Sequence, residues 1–178
     1  MNGPKVSSLR TQSGYILVYT MFLFQIIEAL QRAQVDYALV GGYAVALHGA
    51  VRGTVDVDLV LNFSKRDFES AEKAFQSIGL KSRLPIDATE VFEFRKEYIE
   101  NRNLIAWSFY NAANPIEVVD VVLTEDLRKI QTRTLKVGKY SLRIASIDDL
   151  IKMKLKSARP QDLADVEALK TLKKERTP

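Results

Sequence analysis

A chain of 178 residues without cysteine has the size of one domain, and the lack of thiols excludes disulfides and thiolate chemistry. That composition is typical of a reducing, cytoplasmic setting. The net charge of +4 is unevenly distributed, with 16 acidic and 12 basic side chains in residues 1–127, and 6 acidic and 14 basic ones in residues 128–178. The basic C-terminal third indicates either a polyanionic partner or lysine-rich helix faces in water, and charge alone favours the second reading.

The predicted elements begin with a loose polar tail over residues 1–13 and a helix over residues 15–33. The stretch "YILVYTMFLFQII" is shorter than the roughly 20 apolar residues of a membrane span, so we expect a buried amphipathic helix and no membrane association. A strand follows over residues 35–40. Gly41–Gly42 ends that strand and opens a short helix that closes at Gly49.

The segment "VDVDLVL" (55–61) is rich in β-branched residues and predicts a second strand. A helix with Ser64 as N-cap and Gly79 as stop comes next, and "DATEVFEFRKEYIENR" favours a helix over a strand. The strands "NLIAWSFY" and "IEVVDVVL", a short helix "TEDLRKI" and a hairpin turning at Val137–Lys139 follow.

Two helices end the predicted chain, the second with Pro160 in its first turn. Its packing stripe is predicted to consist of Leu163, Val166 and Leu169. This order of elements predicts an α/β (α+β) fold in which helices pack over a mixed sheet. We expect a single domain over residues 14–178, with a core at about 35–145 and C-terminal helices at 146–175.

Two aspartates, Asp56 and Asp58, lie two residues apart in the predicted second strand, so their side chains share one face. Their carboxylates repel each other unless a cation lies between them, and a divalent metal such as Mg²⁺ or Mn²⁺ suits this pair together with phosphate oxygens. A surface turn with incidental acids is the weaker reading, because the segment is too apolar. The pair therefore predicts a metal site.

Gly41 and Gly42 add a second feature, because backbone N–H groups at the start of a helix suit a phosphate and glycine allows close approach. An ordinary break between strand and helix explains the glycines equally well. Asp120 adds a third feature, since it interrupts the otherwise apolar run "VVDVVL". We favour metal binding for Asp120 over a structural pairing with a buried arginine.

The sequence resembles the nucleotidyltransferase superfamily, which has the DNA polymerase beta-like fold. The pattern that carries the resemblance is Gly-Gly, 13 intervening residues, Asp-Val-Asp and a later apolar strand with an aspartate. The longer stretches "LVGGYAVALHGAVRGTVDVDLVL" and "SIDDLIKMKLKSARPQDLADVEAL" resemble its bacterial minimal, AbiEii-like branch. The resemblance covers roughly residues 25–172. It implies a metal-dependent transfer of a nucleoside monophosphate from a nucleoside triphosphate to an acceptor hydroxyl, with release of pyrophosphate.

In this reading Asp56 and Asp58 hold two metals, and Asp120 completes the acceptor-side metal and takes the acceptor's proton. The Gly41–Gly42 backbone holds the β- and γ-phosphates. The resemblance also selects a further set of recurring positions, namely Arg52, Thr54, Lys154, Arg159, Asp162 and Asp165.

Arg52 is either a triphosphate ligand or a surface arginine. Lys154 either lies near the nucleotide phosphates, with Asp162 and Asp165 orienting it or Arg159, or belongs to a solvated charged face with local ion pairs. His48, the single histidine, is expected to cap a helix or lie in the core rather than act as the base.

The resemblance implies a transfer RNA end or a protein hydroxyl as acceptor and a cognate toxin or antitoxin as partner. We expect RNA, with Lys152, Lys156, Lys170, Lys173 and Lys174 as its contacts. One alternative is a catalytically inactive nucleotide-binding or antitoxin module of the same fold, which loss of the third acid would favour. Another is a structural interaction module, which an exposed apolar helix over residues 15–27 would favour.

Overall fold

The computed structural model describes residues 21–176. The predicted tail over residues 1–13 and the start of the first predicted helix lie outside the described residues. Within the described part, six α-helices and seven strands follow one another, with one short 3-10 helix at Leu127–Lys129. In chain order they are α1 (residues 21–32), β1 (Tyr37–Leu39), α2 (Gly41–Leu47), β2 (Val57–Leu61), α3 (Lys65–Ser77), β3 (Leu80–Ser82), α4 (Ala88–Arg102), β4 (Ala106–Asn111), β5 (Val118–Val122), β6 (Thr132–Val137), β7 (Tyr140–Ala145), α5 (Ile147–Ser157) and α6 (Pro160–Arg176).

The strands form one mixed sheet in the order β3-β4-β5-β2-β1-β7-β6. Strand β2 pairs antiparallel with β1 and parallel with β5, and β1 pairs parallel with β7. The two outer pairs, β3 with β4 and β6 with β7, are antiparallel. The predicted α/β fold with a mixed sheet is therefore confirmed, and β2 lies at its centre.

Local sequence signals fix several of the helix ends. The Ser64 side chain accepts a hydrogen bond from the Asp67 N–H and caps α3, as predicted. Asp87 and Glu90 form a capping box at the start of α4, which confirms the helix there. Pro160 is the first residue of α6, where its missing N–H costs no helical hydrogen bond.

The sheet buries its two faces against different helices. Side chains of α1, α3 and α4 form the larger core with one face, around Trp107, Phe109 and Leu59. On the other face a smaller cluster joins Val45 of α2, Leu150 of α5 and Leu169 of α6 to β1, β2 and the end of β7. Because Phe22, Leu23, Ile26 and Ile27 are buried, the described part of α1 is not the exposed apolar helix that an interaction module would need.

Strands β3 and β4 lack a helix on the second face in the described part of the chain. Their side chains on this face are Lys81, Ala106, Ser108 and Tyr110, all of them exposed or half-buried and none of them in the smaller core. We call the surface made by Lys81, Arg83, Ser108 and Tyr110 the open face. The helices α2, α5 and α6 cover the neighbouring part of the same face, over β1, β2 and the end of β7.

The observed elements differ from the predicted ones in four respects. Strand β3 was not predicted, because three residues directly after a helix stop carry too short a pattern. Strand β2 begins at Val57 rather than at residue 55, and the predicted helix "TEDLRKI" is a single 3-10 turn. In α6, Leu163 is exposed although Val166 and Leu169 are buried as predicted.

Within residues 21–176, none of the helices combines the length and the apolar character that crossing a membrane requires.

Candidate active site

Asp58 and Asp120 lie side by side at the centre of the sheet. They are direct partners in the parallel pairing of β2 with β5. Adjacent strands are about 4.8 Å apart, and residues that pair directly project to the same face. The register therefore brings these two predicted site residues together on the face that carries the smaller core.

The environment of Asp58 opposes its negative charge. Burial, together with the charges of Asp120 and Asp56, raises the pKa of its carboxyl to about 7. The charge of Lys154 and a hydrogen bond from the Gly42 N–H act in the opposite direction and limit that rise. A carboxyl group with this pKa exchanges its proton near neutral pH. Strongly shifted pKa values of this kind cluster at functional sites.

Asp120 has a buried carboxylate oxygen that nothing satisfies. Its Oδ1 is inaccessible to solvent and has no hydrogen-bond partner in the structure. An unpaired buried acceptor costs about 1–3 kcal/mol, so native structures keep few of them. A cation or a proton donor from a bound molecule would remove this cost, which fits the predicted metal-binding role better than the structural alternative of a buried arginine partner.

Asp56 differs from the prediction in its position. It lies in the bend just before β2 and is exposed, so the rule that residues two apart share a strand face does not apply to it. Partial burial of the carboxyl and the charge of Asp120 nevertheless raise the pKa of Asp56, and the charge of Arg83 lowers it. Asp56 thus belongs electrostatically to the same group, which we call the carboxylate site (Asp56, Asp58 and Asp120).

The carboxylate site is not a ready-made metal centre. Among residues 21–176, no three histidine, cysteine, aspartate or glutamate side chains are grouped so that they could hold a metal ion as they stand. The shared metal role of the three carboxylates therefore stays a prediction, with Asp56 in the bend just outside the strand. The donor set itself, three carboxylates with one orphaned oxygen, fits a hard divalent cation.

Position 41 must be glycine because the Asp58 side chain leaves no room for a Cβ atom there, whether or not a ligand is bound. A Cβ atom at residue 41 would lie 1.8 Å from Asp58 Oδ2, and the backbone there has a φ of +60°, which disfavours side chains. Gly42 is equally confined, since its Cβ would lie 2.5 Å from Thr54 Oγ1. The two glycines therefore let α2 start directly against Asp58 and Thr54.

Lys154 is buried between two carboxylates. Its Nζ lies 2.9 Å from Asp162 Oδ1 and 2.9 Å from Asp165 Oδ2, and all three residues are buried. The alternative of a solvated charged face is therefore wrong for these residues. The expectation that the two aspartates orient Lys154 agrees with the geometry, although Lys154 is enclosed rather than open to a phosphate.

Two arginines complete this group, which we call the Lys154 network (Arg52, Lys154, Arg159, Asp162 and Asp165). Arg52 Nε lies 3.2 Å from Asp165 Oδ1, so it ties the loop before β2 to α6 instead of being a free surface arginine. Arg159 Nε lies 2.7 Å from Asp162 Oδ2, and the Arg159 side chain is largely exposed. Of the three cations, Arg159 is thus the most accessible to a ligand.

His48 is a core residue, as expected. Its side chain is buried and its Nε2 lies 2.8 Å from the carbonyl oxygen of Ala145, at the end of α2. This contact links α2 to β7.

The structure adds residues that the sequence did not single out. Ser108 pairs with Asp120 across β4 and β5, and the Arg83 N–H donates to the Ser108 carbonyl oxygen at 2.9 Å. Both belong to the open face. Only the register of β3, β4 and β5 brings them beside the carboxylate site, and no local sequence signal reports that register.

Several solved structures share this fold at low sequence identity. ANT(2″)-Ia in complex with adenylyl-2″-tobramycin has a TM-score of 0.58 at 13% identity, covering 87% of this chain and 88% of that one. The lincosamide antibiotic adenylyltransferase LnuA, bound to lincomycin, has a TM-score of 0.58 at 14% identity, with coverage of 85% and 96%. An antigenic nucleotidyltransferase-like protein from Paracoccidioides brasiliensis has a TM-score of 0.53 at 18% identity, with coverage of 83% and 74%.

No curated protein matches the sequence significantly. The family comparison is informative, because residues 21–175 match the family described as "Nucleotidyltransferase of unknown function (DUF6036)". That span includes both the carboxylate site and the Lys154 network. With the fold and the paired carboxylates on β2 and β5, the match shows that the chain belongs to this nucleotidyltransferase family.

Proposed function

We propose that the chain transfers a nucleoside monophosphate from a nucleoside triphosphate to an acceptor hydroxyl and releases pyrophosphate, with the carboxylate site as its centre. The observation that carries this proposal is the unpartnered Oδ1 of Asp120, one strand away from a carboxyl with a pKa of about 7. A structural pair of acids would be neutralised by cations within the fold. This pair is left to be completed by bound molecules.

Asp56, Asp58 and Asp120 are the residues that would hold Mg²⁺ or Mn²⁺. Such a cation, when bound, would neutralise charge on the triphosphate oxygens and on the attacking oxygen. Asp120 Oδ1 is the proton acceptor nearest the acceptor hydroxyl in this proposal. In the transfer, the hydroxyl oxygen bonds to the α-phosphorus, the bond from that phosphorus to the bridging oxygen of the β-phosphate breaks, and pyrophosphate leaves.

The triphosphate would lie between the start of α2 and the Lys154 network. The Gly41–Gly42 backbone would contact the β- and γ-phosphates, although the Gly42 N–H donates to Asp58 until a ligand competes for it. Arg159 offers an exposed guanidinium for the phosphates. Three further residues would support the triphosphate site without contacting the phosphates. Lys154 supplies a buried positive charge, and Arg52 and Thr54 hold the loop before β2.

The acceptor and the partner belong to the finer part of this proposal. The fold neighbours named above include an enzyme with adenylyl-2″-tobramycin, so a small-molecule hydroxyl is a third class beside RNA and a protein hydroxyl. The AbiEii-like branch and a cognate toxin or antitoxin continue to rest on the sequence resemblance. The inactive-module alternative is disfavoured, because the third acid is present and lies beside Asp58.

A labelling experiment tests the transfer. The protein is incubated with Mg²⁺, total RNA and cell lysate, and with each nucleoside triphosphate labelled at the α-phosphate or, separately, at the γ-phosphate. We expect one or more α-labelled nucleotides to label an acceptor, with no transfer of γ-label and none at all by the Asp120→Asn variant. Transfer of the γ-label would identify a phosphotransferase instead, and full activity of Asp120→Asn would contradict the proposed site.

A further inference from the structure

One row of residues crosses four strands from the carboxylate site to the edge of the sheet. Asp58 pairs with Asp120, Asp120 pairs with Ser108, and the Arg83 N–H donates to the Ser108 carbonyl oxygen. With neighbouring strands about 5 Å apart, the Cα atoms of Ser108 and Arg83 lie about 5 Å and about 10 Å from that of Asp120. The row therefore leads from the reacting group onto the open face.

A second row runs beside the first. Lys81 pairs with Tyr110, which pairs with Val118 of β5 two residues before Asp120. The guanidinium carbon of Arg83 lies 5.9 Å from the centre of the Tyr110 ring. The open face thus combines one aromatic plane and two cations on one side of a sheet that no helix covers in the described part of the chain.

The two cations of the open face have no acidic partner. Within residues 21–176, no carboxylate lies within ion-pair distance of Lys81 or Arg83. The backbone hydrogen bond from Arg83 to Ser108, the residue paired with Asp120, places Arg83 in the row that ends at the carboxylate site. These cations are therefore available to an anionic ligand beside that site.

The lysines of the C-terminal helices are less available. Four of the five that we expected to contact RNA form ion pairs within the protein: Lys152 with Asp149, Lys156 with Glu125, Lys170 with Glu167, and Lys173 with Asp148. Internal partners already neutralise much of this basic surface. The better candidate contacts for a polyanion are therefore the unpaired cations of β3 and the residue after it, rather than the lysines of α5 and α6.

We propose that the open face is the acceptor subsite and that its occupant is the 3′ end of a single-stranded nucleic acid. The terminal base stacks on Tyr110, the last phosphate lies between Lys81 and Arg83, and the terminal hydroxyl points past Ser108 towards Asp120. Single-strand binding sites combine the same elements, an aromatic platform and cations along the backbone. A protein hydroxyl or a neutral small molecule brings no phosphate for two unpaired cations.

This inference rests on the proposed function, and a binding experiment separates the two. The probe is a fluorescein-labelled oligoadenylate of roughly ten nucleotides with a free 3′ hydroxyl, a length suited to one single-strand site. Affinity is measured by fluorescence anisotropy over a range of salt concentrations. Affinity for the nucleoside triphosphate is measured separately, without RNA.

The chain offers a matched control on the opposite edge strand. Strands β3 and β6 are the two edges of the sheet, and β6 carries an exposed arginine and an exposed lysine, Arg133 and Lys136. The double variant Lys81→Glu/Arg83→Glu therefore has the same net charge as Arg133→Glu/Lys136→Glu. Equal weakening of RNA binding by both would reveal a general charge effect and overturn the subsite.

We expect the open-face double variant to weaken RNA binding about ten-fold or more, and the salt slope to fall by about 1.4, the change for two lost single-strand phosphate contacts. The β6 double variant should stay within about three-fold of the wild type. Tyr110→Ala should weaken RNA binding by about ten-fold, because one stacked base is lost. Nucleoside triphosphate affinity should stay unchanged in Tyr110→Ala and in the β6 double variant.

Other results would separate the two proposals. If the wild type transfers label to protein and does not bind the oligoadenylate, the proposed occupant is wrong and the transferase stands. If the Asp120→Asn variant still transfers label, the proposed function is wrong, whatever the open face binds.

Discussion

The carboxylate site and the Lys154 network lie next to each other. The buried carboxylates of the network are paired with cations, whereas those of the carboxylate site are not. In the network, Asp162 and Asp165 are almost fully buried, yet each of them contacts cations at ion-pair distance. In the carboxylate site, Asp58 and Asp120 repel each other, and one oxygen has no partner. Balanced buried charge holds a structure in place, whereas unbalanced buried charge prepares a site for something that binds.

The largest effect that this comparison predicts is the loss of transfer in Asp58→Asn. We expect a hundred- to thousand-fold lower nucleotide transfer, roughly the loss that follows removal of one group that stabilises transition-state charge. The unfolding free energy measured with urea in EDTA should not fall, because the substitution removes a repulsive charge. The control is Asp36→Asn on the exposed surface, which should keep full activity. Retained activity in Asp58→Asn would show that the carboxylate site, like the Lys154 network, has only a structural role.

The next effect is on stability and belongs to the network. Asp162→Asn should lower the unfolding free energy by about 3 kcal/mol, because it leaves the buried Lys154 without one of its two partners. Asp148→Asn, which breaks the exposed pair with Lys173, should cost less than about 1 kcal/mol. Urea unfolding measures both. Similar small losses would show that the network is as weak as a surface pair.

Gly41→Ala tests the contact between α2 and Asp58, and Gly138→Ala is its control. The two glycines have φ values of +60° and +59°, but a Cβ at residue 138 meets no atom within 4 Å. We expect about 1 kcal/mol of destabilisation at Gly138 from backbone strain alone, and at least about 2 kcal/mol more at Gly41 from the clash with Asp58. Equal losses in thermal or urea unfolding would mean that Asp58 moves aside at little cost.

The smallest effect is a pH dependence of stability. The pKa of Asp58 is near 4 in an unfolded chain and about 7 in the folded protein, so between these values only the folded state holds the proton. The unfolding free energy of the wild type in EDTA should therefore fall as the pH rises from 4 to 6, by about 2 kcal/mol relative to Asp58→Asn. A constant difference between the two proteins would contradict the raised pKa.

The network should show the opposite pH dependence. Ion pairs and hydrogen bonds with Arg159 and Lys154 hold the pKa of Asp162 below its ordinary value against the effect of burial. Its contribution is therefore complete above an unfolded pKa of about 4 and is lost as the pH falls through the lower folded value. Acid unfolding of Asp162→Asn should accordingly be less steep than that of the wild type.

The sequence predicted the features that depend on neighbouring residues. The strand before Gly41, the short helix, the apolar strand with Asp58 and the isolated acid at Asp120 all follow from periodicity and composition within a few residues. The pairing of Asp58 with Asp120 was inferred from a family resemblance, because 61 residues lie between the two positions in the chain. The parallel register of β2 with β5 gives that pairing its geometry.

The features that the sequence did not predict depend on tertiary packing. In α6 the buried positions are Asp162, Asp165, Val166 and Leu169, which have helical spacing but begin with two acids. Apolar periodicity therefore selected Leu163, which is exposed. Burial of those acids is favourable only because Lys154 on α5 lies between them. The open face depends on the register of the strands, which is also a tertiary feature.

The contact between Gly41 and Asp58 also bears on how catalysis could be lost in a lineage. While the carboxylate is present, residue 41 has no room for a side chain, so the two positions can change only in one order. A descendant that first replaces Asp58 by glycine is then able to acquire a side chain at position 41. That second change fills the carboxylate's place and makes the first one hard to reverse. Among relatives of this chain, a side chain at the position of Gly41 would thus mark a protein that has kept the fold for a role other than transfer.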